Sequence, residues 1–177
     1  VIVKPAGSTP LSCLSLVKCL YESGLPEEWC QALICENNIA EKILTDSRVS
    51  FFTFIGSGAV GWKLHSKLAP GTRCALEHGG AAPVIVDYDA DLEDSLPLLA
   101  KGGFYHAGQV CVSVQKVYVH ESIADEFSRK LVKMAEKLVV GDPLSEKTEV
   151  GPLILEKEVE RVDQWVQEAK KEGGKIL

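Results

Sequence analysis

Strand-like and helix-like stretches alternate through the first 77 residues, and this alternation constrains the fold more than any other feature of the chain. Val1-Ile2-Val3 reads as a strand running into Lys4-Pro5. Thr9 is placed to cap a helix with Pro10 at its first position, where a missing N–H costs nothing. Leu14, Val17 and Leu20 recur at helical spacing, and Gly24 ends that helix. Ala32-Leu33-Ile34-Cys35 reads as a second strand. Asn37 or Asn38 caps a second helix carrying Ile39, Ile43 and Leu44. Ser50 to Phe54 is a third strand, and Ser57 opens a helix through Trp62, Leu64 and Leu68 to Pro70. Cys74-Ala75-Leu76 is a strand leading to Glu77. Such alternation predicts an α/β fold, a parallel sheet covered by helices on both faces.

Gly79-Gly80 with Pro83 marks a domain boundary, dividing the chain into residues 1–78 and 79–177. The second part opens on the strand Val84-Ile85-Val86, with Asp89 or Asp91 to cap the helix that follows. Pro97 falls inside that helix, where an interior proline costs about 3 kcal/mol and predicts a kink or a restart. Gly102-Gly103 weakens it further. Lys116 to Val119 alternates as a strand, and Ser122 with Asp125 forms a capping arrangement. Ile123, Phe127, Leu131, Met134 and Leu138 make an apolar helical stripe, with Met134 as core filler. Gly141-Asp142-Pro143 is a turn. A last helix carries Val159, Val162, Trp165 and Ala169; Gly173-Gly174 stops it, and Lys175-Ile176-Leu177 reads as a strand.

A net charge of -6 argues against nucleic acid or an anionic membrane as the main partner. No apolar run approaches the roughly 20 residues of a membrane helix. No signal peptide is visible, and the strand-like opening reads as a sequence that begins in mid-fold. The six cysteines, Cys13, Cys19, Cys30, Cys35, Cys74 and Cys111, include no Cys-x-x-Cys pair and no zinc-ligand spacing. They are expected to be reduced, buried thiols of a cytosolic protein, with no structural metal.

Two stretches carry chemistry. Gly56-Ser57-Gly58-Ala59-Val60-Gly61 follows a strand and opens a helix, the setting in which backbone N–H groups and the helix dipole favour a pyrophosphate. On that pattern alone Glu77, roughly 16 residues after Gly61, reads as an acid that binds a ribose. The other stretch is Phe104-Tyr105-His106-Ala107-Gly108-Gln109-Val110-Cys111-Val112-Ser113. A thiol just after a glycine turn can face a cleft, where its thiolate is a strong nucleophile. The alternative for Cys111 is a buried cysteine acting as a small hydrophobe.

Four segments together resemble the aldehyde dehydrogenase superfamily. Gly108-Gln109-Val110-Cys111 resembles its Gly-Gln-x-Cys catalytic segment. Leu76-Glu77-His78-Gly79-Gly80-Ala81-Ala82-Pro83 resembles Leu-Glu-Leu-Gly-Gly-Lys-x-Pro. Phe54-Ile55-Gly56-Ser57 with Gly61 resembles Phe-Thr-Gly-Ser-x-x-x-Gly, and Lys4-Pro5 with Thr9-Pro10 resembles the Lys-Pro-x-x-x-Thr-Pro cofactor segment. The order and spacing match, and the chain corresponds to about the middle third of a full family member.

The resemblance implies that Cys111 is the nucleophile and Glu77 the general base. It implies a cofactor site at Lys4, Pro5, Gly7, Ser8, Gly56, Ser57, Gly61, His78 and Gly79. NAD or NADP would bind there, with Lys4 on the adenosine ribose. Many NAD-preferring relatives carry a glutamate where this chain has Gly7, so the lean is toward NADP, with Ser8 as a further donor to a phosphate. Residues 1–78 would belong to a Rossmann-like dinucleotide-binding domain and 79–177 to the start of an α/β catalytic domain. The reaction implied is oxidation of an aldehyde to a carboxylic acid through a cysteine thiohemiacetal and thioester, in a cytoplasmic enzyme whose full-length form is a homo-oligomer. Two alternatives stand beside it: a non-catalytic nucleotide-binding remnant, and an acylating enzyme that passes the thioester to coenzyme A. The sequence departs from the family pattern at His78, at Ile55 and at Ala81. It also lacks the family's oxyanion asparagine, its nicotinamide-ribose glutamate and its oligomerisation arm, so it is expected to be a piece of an enzyme.

Overall fold

The computed structural model describes residues 1–177. The chain divides between His78 and Gly79 into two compact units, Val1–His78 and Gly79–Leu177. Its elements are β1 (Ile2–Val3), α1 (Leu11–Glu22), β2 (Gln31–Ala32), α2 (Asn37–Leu44), β3 (Phe51–Gly56), α3 (Gly58–His65), β4 (Arg73–His78), β5 (Pro83–Val86), α4 (Leu92–Phe104), β6 (Lys116–Val119), α5 (Ala124–Ala135) and α6 (Glu156–Lys171). The fold is mixed α/β, and every strand pair is parallel: β1 with β2, β3 with β4, β5 with β6. Each pair is joined through a helix, because parallel neighbours cannot be linked by a tight hairpin.

The parallel sheet expected over the first 77 residues is instead two two-stranded sheets, β1-β2 and β3-β4, and β5-β6 is a third in the second unit. Pairing is confined to strands that follow one another in the chain. β1 and β2 are only two residues long, so the strand expected over 32–35 shrinks to Gln31–Ala32, extended by one bond from Leu33 N–H to the Val3 carbonyl (2.9 Å).

Helix starts differ from expectation by a residue or so, and one helix ends several residues early. Pro10, not Thr9, is the N-cap of α1, and Glu36 stands at the N-cap of α2 in place of Asn37 or Asn38; neither side chain caps. α3 stops at His65 rather than running to Pro70. Gly24 behaves as read: at φ 97° it is left-handed, and Gly24 and Leu25 N–H groups close on the Tyr21 and Leu20 carbonyls. Gly173 and Gly174 end α6 in the same way, but residues 175–177 form no strand.

Asp91 is the N-cap of α4, its carboxylate accepting from Glu93 N–H (2.9 Å) and Asp94 N–H (3.3 Å). Pro97 does not divide α4, which continues from Leu92 to Phe104. The lost backbone bond is outweighed by burial of Leu96 and Ala100, one turn apart on the same side. Leu96, Val86 and Phe127 form the core of the second unit, with Ile123, Leu131 and Met134 packed around them. Phe127, Leu131 and Met134 of the stripe read from sequence thus lie on the inner face of α5, with Ile123 just before it; Leu138 falls beyond the end of the helix. Its start is not capped by Ser122 and Asp125; the His120 ring accepts from Ser122 N–H (3.2 Å) in the turn before it. No helix is long and apolar enough to cross a membrane.

Candidate functional site

In the first unit, β3 and β4 pair in register from Phe51↔Arg73 to Gly56↔His78. Successive side chains of a strand point to opposite faces. One face carries Phe52, Phe54, Cys74, Leu76 and His78, all half-buried; the other carries Phe51, Ile55, Arg73 and Glu77, all exposed. α3 lies against the first face. Ser57 caps it, its Oγ accepting from Val60 N–H (3.4 Å). The first backbone donors of a helix have no partner within it, which leaves the Gly58 and Ala59 N–H groups free at this end.

The glycines here have an internal reason. A Cβ on Gly61 would lie 2.3 Å from His78 Nε2, one on Gly58 3.5 Å from His78 Nδ1, and one on Gly56 2.6 Å from the Phe54 ring. The imidazole of His78 thus fills the space between β4 and α3, edge-on to Trp62 at 5.8 Å, with Nε2 buried and without a hydrogen-bond partner. The structure brings Gly56, Ser57, Gly61 and His78 together. Glu77, the next residue to His78, faces the other way.

Lys4, Pro5, Gly7 and Ser8 lie on the connection from β1 to α1. Pro5 is buried, and the Lys4 ammonium donates to the Pro5 carbonyl (3.1 Å). A side chain at Gly7 would meet nothing within 4 Å. Packing therefore does not demand a glycine at this position.

Cys111 lies in the second unit, in the loop between α4 and β6, and is exposed. The loop begins with three consecutive residues at positive φ: His106 (50°), Ala107 (55°) and Gly108 (75°). Only glycine takes this conformation freely; each L-residue costs about 1–2 kcal/mol there. Two sets of bonds hold the turn. Gln109 Nε2 donates to the His106 carbonyl (3.0 Å) and, at 3.5 Å, to that of Pro152, while its Oε1 accepts from Ile154 N–H (2.9 Å). Ser113, 1% exposed, donates through Oγ to the Gly102 carbonyl (3.1 Å), with that of Gly103 at 3.3 Å. Gly102 admits this approach, since a Cβ there would stand 3.0 Å from Val114 Cγ2.

Gln109 and Ser113 were not singled out from sequence. The available signal was the pair of glycines at 102–103, which weakens a helix without an evident reason. The expectation that the remaining cysteines are buried holds only for Cys30; Cys19 is exposed, and Cys13, Cys35 and Cys74 are half-buried. Exposure alone therefore does not single out Cys111. No group of three or more His, Cys, Asp or Glu side chains could hold a metal ion.

Comparison with known proteins agrees along the whole chain. The model of the aldehyde dehydrogenase family matches residues 1–177. A 3-sulfolactaldehyde dehydrogenase from Priestia aryabhattai is 45% identical over 177 residues, covering 99% of this chain and 37% of that protein. Among solved structures, the glyceraldehyde-3-phosphate dehydrogenase GapN of Methanocaldococcus jannaschii, complexed with NADP, superposes with a TM-score of 0.92 at 40% identity, covering 99% of this chain and 40% of that one. An NAD-dependent aldehyde dehydrogenase from Sinorhizobium meliloti gives a TM-score of 0.95 at 33% identity, over 100% of this chain and 36% of its own. The chain thus spans a little over a third of the length of these relatives, and from end to end it belongs to the aldehyde dehydrogenase family.

Proposed function

We propose that these residues supply the nucleophile, the general base and part of the cofactor site of an NAD(P)-dependent aldehyde dehydrogenase. The observation that carries this reading is Cys111, exposed in a loop that follows the left-handed run 106–108 and is tied on one side by Gln109 and on the other by Ser113. In this reading residues 1–78 are part of the dinucleotide-binding domain and 79–177 part of the catalytic domain.

The residues present fit a dinucleotide. The Gly58 and Ala59 N–H groups at the start of α3 suit a pyrophosphate, and the Lys4-Pro5-Ala6-Gly7-Ser8 connection supplies an ammonium, a hydroxyl and open space at Gly7. Gly56, Ser57, Gly61, His78 and Gly79 complete that side, with His78 setting the distance between α3 and β4. A carboxylate at position 7 would repel a 2′-phosphate; its absence favours NADP slightly over NAD. The nicotinamide, when bound, supplies the hydride acceptor.

Cys111 contributes the bond-forming step: its thiolate sulfur adds to the aldehyde carbon, and the carbonyl oxygen takes the negative charge, held in part by the Cys111 N–H. Loss of hydride from that thiohemiacetal leaves a thioester. Glu77 takes a proton from water, whose oxygen attacks the thioester carbon; the C–S bond breaks, releasing the carboxylic acid and returning Cys111 as its thiolate, with the proton left on Glu77 to be passed to solvent. A cytoplasmic setting suits six free cysteines, and a homo-oligomeric full-length form is part of the same proposal.

The test uses a family-length polypeptide carrying these 177 residues. Cys111→Ala abolishes aldehyde-dependent cofactor reduction, since no thioester can form. Glu77→Gln keeps size but cannot take a proton, so one burst of reduced cofactor is followed by turnover about 10²–10⁴-fold slower. Near-normal steady turnover in Glu77→Gln sinks the base assignment and returns Glu77 to the ribose-binding reading, which weakened cofactor binding would then reveal. Strict dependence of turnover on added coenzyme A would replace hydrolysis by acyl transfer.

A further inference from the structure

Cys111 sits midway between two side chains that each tie the same loop to a different, distant part of the second unit. Gln109, two residues before it, joins the loop to the segment at Pro152 and Ile154 through both ends of its amide. Ser113, two residues after it, joins the loop to the end of α4, where Val114 N–H also donates to the Gly102 carbonyl (2.9 Å). Between them, Ser113 N–H closes on the Val110 carbonyl (3.0 Å). The pairing matches each group's chemistry: the amide oxygen meets an N–H, the amide nitrogen meets carbonyls, and the one hydroxyl proton of Ser113 meets a carbonyl. A glutamine that served only to solvate a surface turn would not reach a backbone N–H 45 residues away. The left-handed run at residues 106–108 is unfavourable by itself, so the conformation that presents Cys111 depends on what holds its ends.

We propose that Gln109 and Ser113 are positioning residues for Cys111, a two-sided clamp that fixes the thiol turn between the C-terminal end of α4 and the 152–154 segment. The clamp rests on the reading of Cys111 as the nucleophile, but its test needs no turnover. Backbone hydrogen exchange and iodoacetamide labelling, both resolved by peptide, are compared in the 177-residue chain for the parent, Gln109→Ala, Gln109→Glu and Ser113→Ala. Cys19, exposed and in the other unit, is the internal rate standard; Cys30, 6% exposed, reports unfolding of that unit, and exchange of the Phe127 amide, in the core of the second unit, reports unfolding there.

Gln109→Ala removes all the side-chain bonds and speeds exchange of the Ile154 amide by about tenfold, the effect of losing one hydrogen bond on local opening. Labelling of Cys111 relative to Cys19 rises by about threefold or more on the same ground, while Cys30 and the Phe127 amide stay protected. Gln109→Glu keeps an oxygen for Ile154 but loses the donor for His106, so it restores protection at Ile154 without restoring the parent labelling rate. Ser113→Ala releases the other side, raising Cys111 labelling while leaving Ile154 protected. Unchanged labelling and exchange in Gln109→Ala overturns the clamp, as does Gln109→Glu behaving like alanine at Ile154. Labelling of Cys30 along with Cys111 in the variants, or faster exchange of the Phe127 amide, also overturns it, by showing general support of the fold. Failure of Cys111→Ala to stop turnover would remove the nucleophile assignment and leave these exchange results standing.

Discussion

The two glycine-rich stretches of this chain look alike in sequence and are built for different physical reasons. At Gly56, Gly58 and Gly61 the constraint is side-chain volume: the rings of Phe54 and His78 occupy the space a Cβ would need. The second stretch mixes two constraints: a Cβ on Gly102 would stand 3.0 Å from the Val114 side chain, whereas Gly108, at φ 75°, completes a left-handed backbone run. The first corner would be relieved by shrinking a neighbour. The left-handed backbone at Gly108 would not. A glycine motif therefore does not announce a ligand until the atoms facing each missing Cβ are known.

The sharpest way to break this contrast is Gly61→Ala. The added methyl overlaps His78 Nε2, and overpacking predicts a loss of about 2 kcal/mol in denaturant unfolding. His78→Ala in the same chain should restore most of it; if the double variant is no better than the single one, the volume explanation fails. Gly102→Ala should cost about 1 kcal/mol even though alanine favours a helix. The Val114 Cγ2 methyl must then shift while its backbone stays tied by the N–H bond to the Gly102 carbonyl. A gain in stability there would show that the loop moves freely.

Ala107→Gly tests the backbone side from the other direction. It relieves a left-handed alanine at φ 55° but adds freedom to the unfolded chain, leaving a net gain of about 0.5–1 kcal/mol. An equal loss would mean the methyl group packs usefully. Gly7→Glu, where a side chain has open space, should change stability by less than about 0.5 kcal/mol. It should shift cofactor preference toward NAD in binding titrations, and an unchanged preference would remove Gly7 from the cofactor proposal.

The smallest effect is a pH dependence outside both glycine corners. Asp46 accepts from Arg48 through Nε (2.9 Å), Nη2 (2.8 Å) and the backbone N–H (2.9 Å). These bonds, side-chain ones foremost, hold its carboxyl well below the usual carboxylate range. A carboxyl depressed on folding contributes stability that is present above its unfolded pKa and lost as pH falls through the folded one. Asp46→Asn should therefore flatten the acid limb of the stability profile slightly and leave neutral pH to alkaline pH unaffected by that titration. An unchanged acid limb would show the pair to be without thermodynamic weight, as is common for exposed ions.

Much of the fold was legible because it rests on local rules. The alternation of strands and helices, the parallel pairing, the glycine stop of α1, the Asp91 cap and the buried stripe of α5 each follow from spacing or from one residue's chemistry. The roles of Cys111 and Glu77 were read from resemblance, by segment rather than by geometry, and belong to the proposed function. What was misread depended on distant partners. Pro97 was expected to kink or restart its helix, and α4 runs through it without a restart, with Leu96 and Ala100 buried. Ala32 to Cys35 was expected to be a strand, but only neighbours that lie beside it can make it one.

The sequence by itself determined which segments could be helix or strand, where the chain divides, and to which family its motifs answer, because hydrophobic period, caps and turn residues act within a few positions. Tertiary structure alone decided that His78 fills the corner that Gly58 and Gly61 leave open. It alone decided that Glu77 faces away from that corner, and that Gln109 and Ser113 brace the loop of Cys111. Those outcomes depend on hydrogen bonds and contacts spanning from about 10 to 45 residues, a range over which local pattern carries no register.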